Sequence, residues 1–221
     1  MRTLQKAGGI AALIESGTFI FGFALLATVL GPLFQSDLDG TGTVRFLAAH
    51  ETLYYVWNLV IYVLFGAMLV VLSLSLQERL GEPSRALMPI ATAFGLIWAG
   101  LVIASGMVAN VGAATVIEIA ARDPAEAGTV WAAVDTVSDG LGGGNEIVGG
   151  IWVFLVSLVG LQGGRLPRFL NYVGLLSGVA GIVTVVPALT DLGALFGIGL
   201  IVWFIWAGIT LLKSAPRENQ Q

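Results

Sequence analysis

Six apolar runs dominate the chain, at roughly 7–33, 52–76, 87–117, 145–161, 169–187 and 192–212, and charged residues fall mostly between them. A helix needs ~20 apolar residues to cross the hydrocarbon of a bilayer, which most of these runs supply. None alternates with a period of two, and backbone in lipid must satisfy its own hydrogen bonds, so the runs predict helices and not a barrel. The third run is longer than a span requires. The fourth is short unless its helix begins ahead of the glycines, near Thr129. Pro83, Pro89, Pro124, Pro167, Pro187 and Pro216 lie near run ends, where chain breaks belong. The predicted fold is all-α: a polytopic integral membrane protein with six transmembrane helices over 1–213 and a polar tail at 214–221.

Composition strengthens this reading. Of 221 residues, 57% are hydrophobic and 11% charged, against ~25% charged in soluble domains. Mean hydropathy is +0.90. Soluble enzymes and disordered linkers are thereby excluded. A net charge of −4 and dispersed basic residues make nucleic acid an unsuitable partner. There is no Cys and a single His, His50, which excludes disulfides, thiolate chemistry and multi-histidine metal sites. The N-terminal run contains Glu15 and exceeds the ~7–15 residues of a signal peptide's apolar core, so it reads as a retained first helix.

With six spans, one side carries Arg2, Lys6, Arg79, Arg85, Arg165, Arg168, Lys213 and Arg217, and the other only Arg45 and Arg122. The positive-inside rule then places both termini and the polar tail in the cytoplasm. The acids show the opposite bias: Asp37, Asp39, Glu51, Asp123, Glu126, Asp135, Asp139 and Asp191 fall on or near the outer side. That is either a solvated face or a field that gathers cations.

Ionisable groups within a span are costly, which makes each a functional candidate. Glu15 shares a helix face with Gly8, Ala12, Thr18 and Gly22. In the second run Glu51, Tyr54, Asn58 and Tyr62 follow the same spacing, and Asn110 lies near the outer end of the third. If the fourth helix starts near Thr129, Asp135, Asp139, Gly142, Glu146, Gly149 and Ser157 form a stripe descending from outside. The glycines within 140–144 predict a break there, a loop or kink being the plainer expectation and a backbone opened around a ligand the other. The candidate ligand-binding set is Glu15, Tyr54, Asn58, Asn110, Asp135, Asp139 and Glu146. Interhelical hydrogen bonds are the alternative role for Asn58 and Asn110, and an interfacial aromatic belt for Tyr54, Tyr55 and Trp57. Ala91/Gly95/Ala99, Gly174/Gly178 and Gly193/Gly197 read as helix-packing ladders.

Other motifs fail. Asp37-Leu38-Asp39-Gly40 opens like a calcium loop, but its twelfth position is Ala48 where a bidentate acid is required. His50 at a helix start reads as a cap or surface residue. Gly140-Leu141-Gly142-Gly143-Gly144 follows no strand, so no dinucleotide fold is indicated, and no cofactor, metal site or catalytic residue is expected.

Arg165-Leu166-Pro167-Arg168-Phe169-Leu170, followed by Tyr172-Val173-Gly174-Leu175, resembles the junction before the fifth helix in a bacterial six-helix family known only as a domain of unknown function. Lys6-Ala7-Gly8-Gly9-Ile10-Ala11-Ala12-Leu13 is similar to that family's opening, and Trp206-Ala207-Gly208-Ile209 to its last helix. The resemblance implies a multi-pass protein of the bacterial cytoplasmic membrane and transfers no site residue. The sequence thus points to a non-enzymatic membrane protein. It would hold a small or lipophilic ligand, or a cation, in an outward-facing acidic cavity, as a transporter would, with membrane lipids as its other partners. A ligand-free structural scaffold is the second class and an intramembrane lipid-modifying enzyme the third.

Overall fold

The computed structural model describes residues 2–33, 38–82, 86–143 and 146–213. The start of the failed calcium loop at Asp37, the ends of the glycine run at Gly144 and the polar tail at 214–221 lie outside the described residues. The elements among the described residues are all helices, without strands. In chain order they form α1 (Arg2–Leu25), α2 (Gly40–Ala49), α3 (Glu51–Asn58), α4 (Phe65–Leu80), α5 (Leu87–Ala120), α6 (Pro124–Ser138), α7 (Ile147–Gly163), α8 (Arg168–Val183) and α9 (Leu192–Lys213). Wider π-type turns at Leu26–Leu30, Leu59–Leu64 and Asp139–Gly143 continue α1, link α3 to α4 and close α6.

Five segments are long and apolar enough to cross a membrane: Thr3–Leu33, Glu51–Leu80, Leu87–Ala120, Pro124–Gly163 and Leu192–Lys213. The fifth apolar run yields only the 16-residue α8. Its helix ends at Val183 because Pro187 cannot continue a helix and disfavours helical backbone before it. α6 begins five residues ahead of the expected Thr129. Asp123 caps it, accepting from the Ala125 and Glu126 N–H groups at 3.0 Å, and Pro124 takes the first helical position.

The described chain forms two compact units. One comprises Met1–Gly17, Phe65–Gly100 and Asn145–Gln221, the other Thr18–Leu64 and Leu101–Gly144. In the first, here the tryptophan unit, Trp98, Trp152 and Trp203 meet Phe65, Phe196 and Phe204. Ring centroids lie 5.0 Å apart for Phe65–Trp98, 5.5 Å for Trp152–Trp203 and 5.8 Å for Trp98–Trp152. Tilted and edge-on ring pairs of this kind add to dispersion. That matters in lipid, where association rests on packing more than on escape from water.

Glycine makes room for the indoles. A Cβ on Gly95 would collide with Ser73 Oγ and stand 2.6 Å from Trp152 Nε1; one on Gly174 would collide with Ser157 Oγ and stand 2.7 Å from Trp203 Nε1. The same Ser–Gly–Trp arrangement therefore occurs twice, on α4/α5/α7 and on α7/α8/α9. The expected ladders at Gly95 and Gly174 act here as seats for indole rings.

The second, acidic unit packs Leu30, Val44, Leu47, Trp57, Ala109, Ala113, Val116 and Ala127 around Tyr54 and Trp131. Its α2, unforeseen between the first two runs, starts at an Asp39 cap that accepts from the Gly42 N–H at 2.6 Å. Gly40 meets Gly128 of α6 backbone to backbone, a Cβ on Gly128 falling 2.8 Å from the Gly40 carbonyl carbon. His50 terminates α2, its ring stacked on Phe46 at 4.2 Å and its Nδ1 3.0 Å from the Phe46 carbonyl oxygen, and it makes no side-chain capping bond at the start of α3 where a cap was expected.

Candidate functional site

Helical spacing on α3 puts Tyr54 and Asn58 one turn apart on the buried face; they are 6% and 0% exposed. Their side chains lie within hydrogen-bond reach. Asn58 Nδ2 donates to Asn110 Oδ1 of α5 at 2.9 Å, and Asn58 Oδ1 has no hydrogen-bond partner among the described residues. Asp135 and Asp139, one turn apart on α6 and its closing turn, act electrostatically on the Tyr54 phenol and on each other. Both aspartates are exposed. Five of the seven predicted residues therefore converge in the acidic unit: Tyr54, Asn58, Asn110, Asp135 and Asp139.

The walls are aromatic. Trp131 meets Tyr54 edge-on at 6.1 Å, and Trp57 lies 6.1 Å from the same ring. Trp57 Nε1 donates to the Gly22 carbonyl at 3.3 Å, which fixes its indole against α1. The expected membership of an aromatic belt does not describe Tyr54 and Trp57, which are buried; Tyr55 is only half-buried. Chemically the cluster is rich in acceptors (two carboxylates, a phenol oxygen, an amide oxygen) and flanked by π-faces.

Sequence reasoning passed over two residues that set the geometry. Ser105 Oγ donates to the Ser138 carbonyl at 2.9 Å, and Ser138 Oγ donates to the Ser105 carbonyl at 3.3 Å. This reciprocal clasp pins the last residue of α6 to α5 immediately before Asp139. Asn58 likewise ends α3 where the π-type turn Leu59–Leu64 begins. Such turns add a residue to the helical register and recur at functional sites.

The continuous fourth-helix stripe does not form. Gly142 has φ 142°, backbone that only glycine adopts readily, and it ends the helical register after Asp139. The loop-or-kink expectation for these glycines matches this geometry. Glu146 accordingly belongs to the tryptophan unit, where it precedes α7 without a side-chain capping bond and its backbone N–H donates to Thr184 Oγ1 at 2.9 Å. Its Cγ lies 3.8 Å from the position of a Cβ on Gly193, at the start of α9.

Glu15 also belongs to that unit and is fully buried, as are Gly8, Ala12, Thr18 and Gly22 on its face. α1 meets α9 where Gly9 and Leu13 touch Gly208. Gly208 is fifteen residues, about 22 Å of helix, from the Gly193 beside Glu146. The structure thus gathers Glu15 and Glu146 into one unit without placing them at one level.

Comparison with known proteins found no curated protein and no solved structure that matches the chain. A family model described as "Domain of unknown function (DUF4386)" matches residues 9–208, which takes in all the described spans apart from their outermost residues. The resemblance read from the Arg165–Leu175 junction thus led to a family of the right kind, and the chain belongs to the DUF4386 domain-of-unknown-function family.

Proposed function

We propose that this protein crosses the cytoplasmic membrane of a bacterium six times, with both termini inside, and holds a small organic cation at the Tyr54 cluster on its outer side. α8, rising about 24 Å, is short for a ~30 Å hydrocarbon core but apolar enough to complete the set. The eight-to-two division of Lys and Arg supports the orientation. α5, at 34 residues, rises about 51 Å, so some 20 Å of it stands outside the hydrocarbon. That leaves the Asp135–Asp139 rim within reach of water.

One observation carries the reading: two carboxylates act electrostatically on a phenol walled by Trp57 and Trp131. Carboxylate and phenol oxygens accept from a cationic donor, and aromatic faces favour an organic ammonium. No three His, Cys, Asp or Glu side chains among the described residues are grouped as a metal ion needs. Passage of the cation across the membrane extends the same reading.

Tryptophan fluorescence provides the test. Purified protein titrated with butylammonium chloride should show a saturable change in signal that sodium chloride does not reproduce. Asp135→Asn with Asp139→Asn should weaken it at least tenfold while leaving the thermal midpoint close to wild type. Equal saturation in that double variant, or none in wild type, rejects the proposal.

A structural role for Glu15 and Glu146 fits beside this one, because they belong to the unit built around packed indoles. Alanine at either should then lower the thermal midpoint and leave the butylammonium response unchanged.

A further inference from the structure

A second polar site lies in the tryptophan unit, where α4 and α7 end. A pocket of about 160 Å³ is lined by Gln5, Ser75, Glu78, Arg79 and Arg165. The two arginines clasp across it. Arg79 Nη2 donates to the Arg165 carbonyl at 3.1 Å, and Arg165 Nη1 donates to the Arg79 carbonyl at 2.8 Å. Arg165 Nη2 also donates to Glu82 at 2.8 Å.

In part this is helix capping, since the Arg79 carbonyl belongs to the last turn of α4. Capping does not account for the whole arrangement. The Arg165 guanidinium has five N–H groups in a planar fork, and its bonds to the Arg79 carbonyl and to Glu82 engage only some of them. The two cations repel each other. Glu82, the acid paired with Arg165, is 82% exposed, where an ion pair contributes little.

Ser75 supplies the independent sign of a ligand. It lines the pocket, is 1% exposed, and its Oγ has no hydrogen-bond partner among the described residues. A buried hydroxyl without a partner is costly, and its cost falls when an acceptor enters. Gln5 reaches the pocket because Gly8, one turn on, lets α1 lie directly against Ser75. Its amide donates to the Leu211 carbonyl at 2.9 Å and retains a second N–H. The donors outnumber the one lining acid, Glu78. The volume is ample for a small anion, a cavity of ~150 Å³ being enough for benzene.

We propose that this pocket binds a phosphate group, held by the forks of Arg79 and Arg165 and by the Ser75 hydroxyl. Guanidinium forks match phosphate oxygens in pairs. Arg79 is the penultimate residue of α4 and Arg165 follows α7 by two, which sets the pocket at the depth of lipid headgroups. The phosphate comes either from an anionic lipid or from free solution.

The full chain, purified in detergent, is titrated with phosphatidylglycerol, with phosphatidylcholine and with inorganic phosphate, and is followed by native mass spectrometry and thermal unfolding. Phosphatidylglycerol should form a one-to-one adduct and raise the midpoint where phosphatidylcholine does not. A rise with inorganic phosphate, beyond that with equal chloride, assigns the free ion instead. Arg79→Gln should weaken binding at least tenfold. Ser75→Ala, which keeps the arginine clasp and hence the fold, should weaken it about threefold. Two results overturn the site: no response above the phosphatidylcholine and chloride controls, or wild-type binding by a folded Ser75→Ala protein.

Discussion

The two units are drawn from the same residue types yet treat buried polar groups in opposite ways. In the tryptophan unit, hydroxyls and indole N–H groups are tucked into gaps left by Gly95 and Gly174, and α7, α8 and α9 run without a wide turn. In the acidic unit, side chains are joined into pairs (Asn58 with Asn110, Ser105 with Ser138), and all three π-type turns of the described chain fall within it. A wide turn gives up regular helix packing to re-aim side chains, which is useful at a site and harmful in a core. Regular register thus accompanies the aromatic core, and interrupted register the paired polar side chains.

The largest effect should come from the centre of the first unit. Trp152 is fully buried among Trp98, Trp203 and Phe204. Trp152→Ala should cost about 3–5 kcal/mol, the range for deleting a buried indole, and should be seen as lost monodisperse protein on heating in detergent. Trp57→Ala, against a unit already interrupted by wide turns, should cost less and should also blunt the butylammonium response. If Trp57→Ala proves the more destabilising, the division of labour between the units is wrong.

Next in size are the glycines. A Cβ on Gly150 would stand 2.6 Å from the Ile182 backbone nitrogen and 2.8 Å from the Gly178 carbonyl oxygen, and backbone cannot step aside. Gly150→Ala should therefore destabilise by about 1–3 kcal/mol through overpacking. Gly100 has nothing within 4 Å of the same position. Gly100→Ala should be neutral or gain up to about 1 kcal/mol from helix propensity. Unfolding of both variants in denaturing detergent checks the contrast, and a neutral Gly150→Ala would remove the close α7–α8 approach from the account.

Ser105→Ala should have a smaller effect on stability, since a polar contact between membrane helices averages about 0.6 kcal/mol. Its sharper consequence is positional. Without the clasp, Asp139 loses its anchor to α5, so butylammonium affinity should fall several-fold while the midpoint barely moves. An unchanged affinity would reduce the serine pair to ordinary packing.

What was legible beforehand follows from how each feature is encoded. Spans announce themselves because ~20 consecutive apolar residues have no other stable home. α8 fell short because Pro187 stops it ahead of the apolar run's end, a local veto that hydropathy does not weigh. Tyr54 with Asn58, and Asp135 with Asp139, could be grouped because helical period places such residues on one face. Glu146 was assigned to the same stripe, and Gly142's positive φ separated it. Ser105 and Ser138 gave no signal, because a lone serine in an apolar helix looks like a packing residue until its partner is seen. α2 was missed for a different reason. Gly40, Thr41, Gly42 and Thr43 are poor helix formers, and the helix owes its place to the Asp39 cap and the contact with Gly128.

That cap gives the smallest effect and the cleanest sign. Asp39 is exposed and accepts from the Gly42 N–H and the Thr41 hydroxyl, so its carboxyl is held below the ordinary aspartate value of 3.8. A carboxyl lowered in the folded state contributes stability above the unfolded value and loses it as pH falls through the folded one. The thermal midpoint of wild type should therefore slip slightly below pH 4. Asn caps helices as well as Asp but does not titrate there. Asp39→Asn should match wild type at neutral pH and lack this component of the acid slope, and only differential midpoints between the two proteins will resolve it. Because α2 lies in the acidic unit, the same pair extends the comparison. If acid loosened α2 and carried the Tyr54 cluster with it, butylammonium affinity would drop below pH 4 more steeply in wild type than in Asp39→Asn. Parallel loss in both would assign the drop to protonation of Asp135 and Asp139 alone.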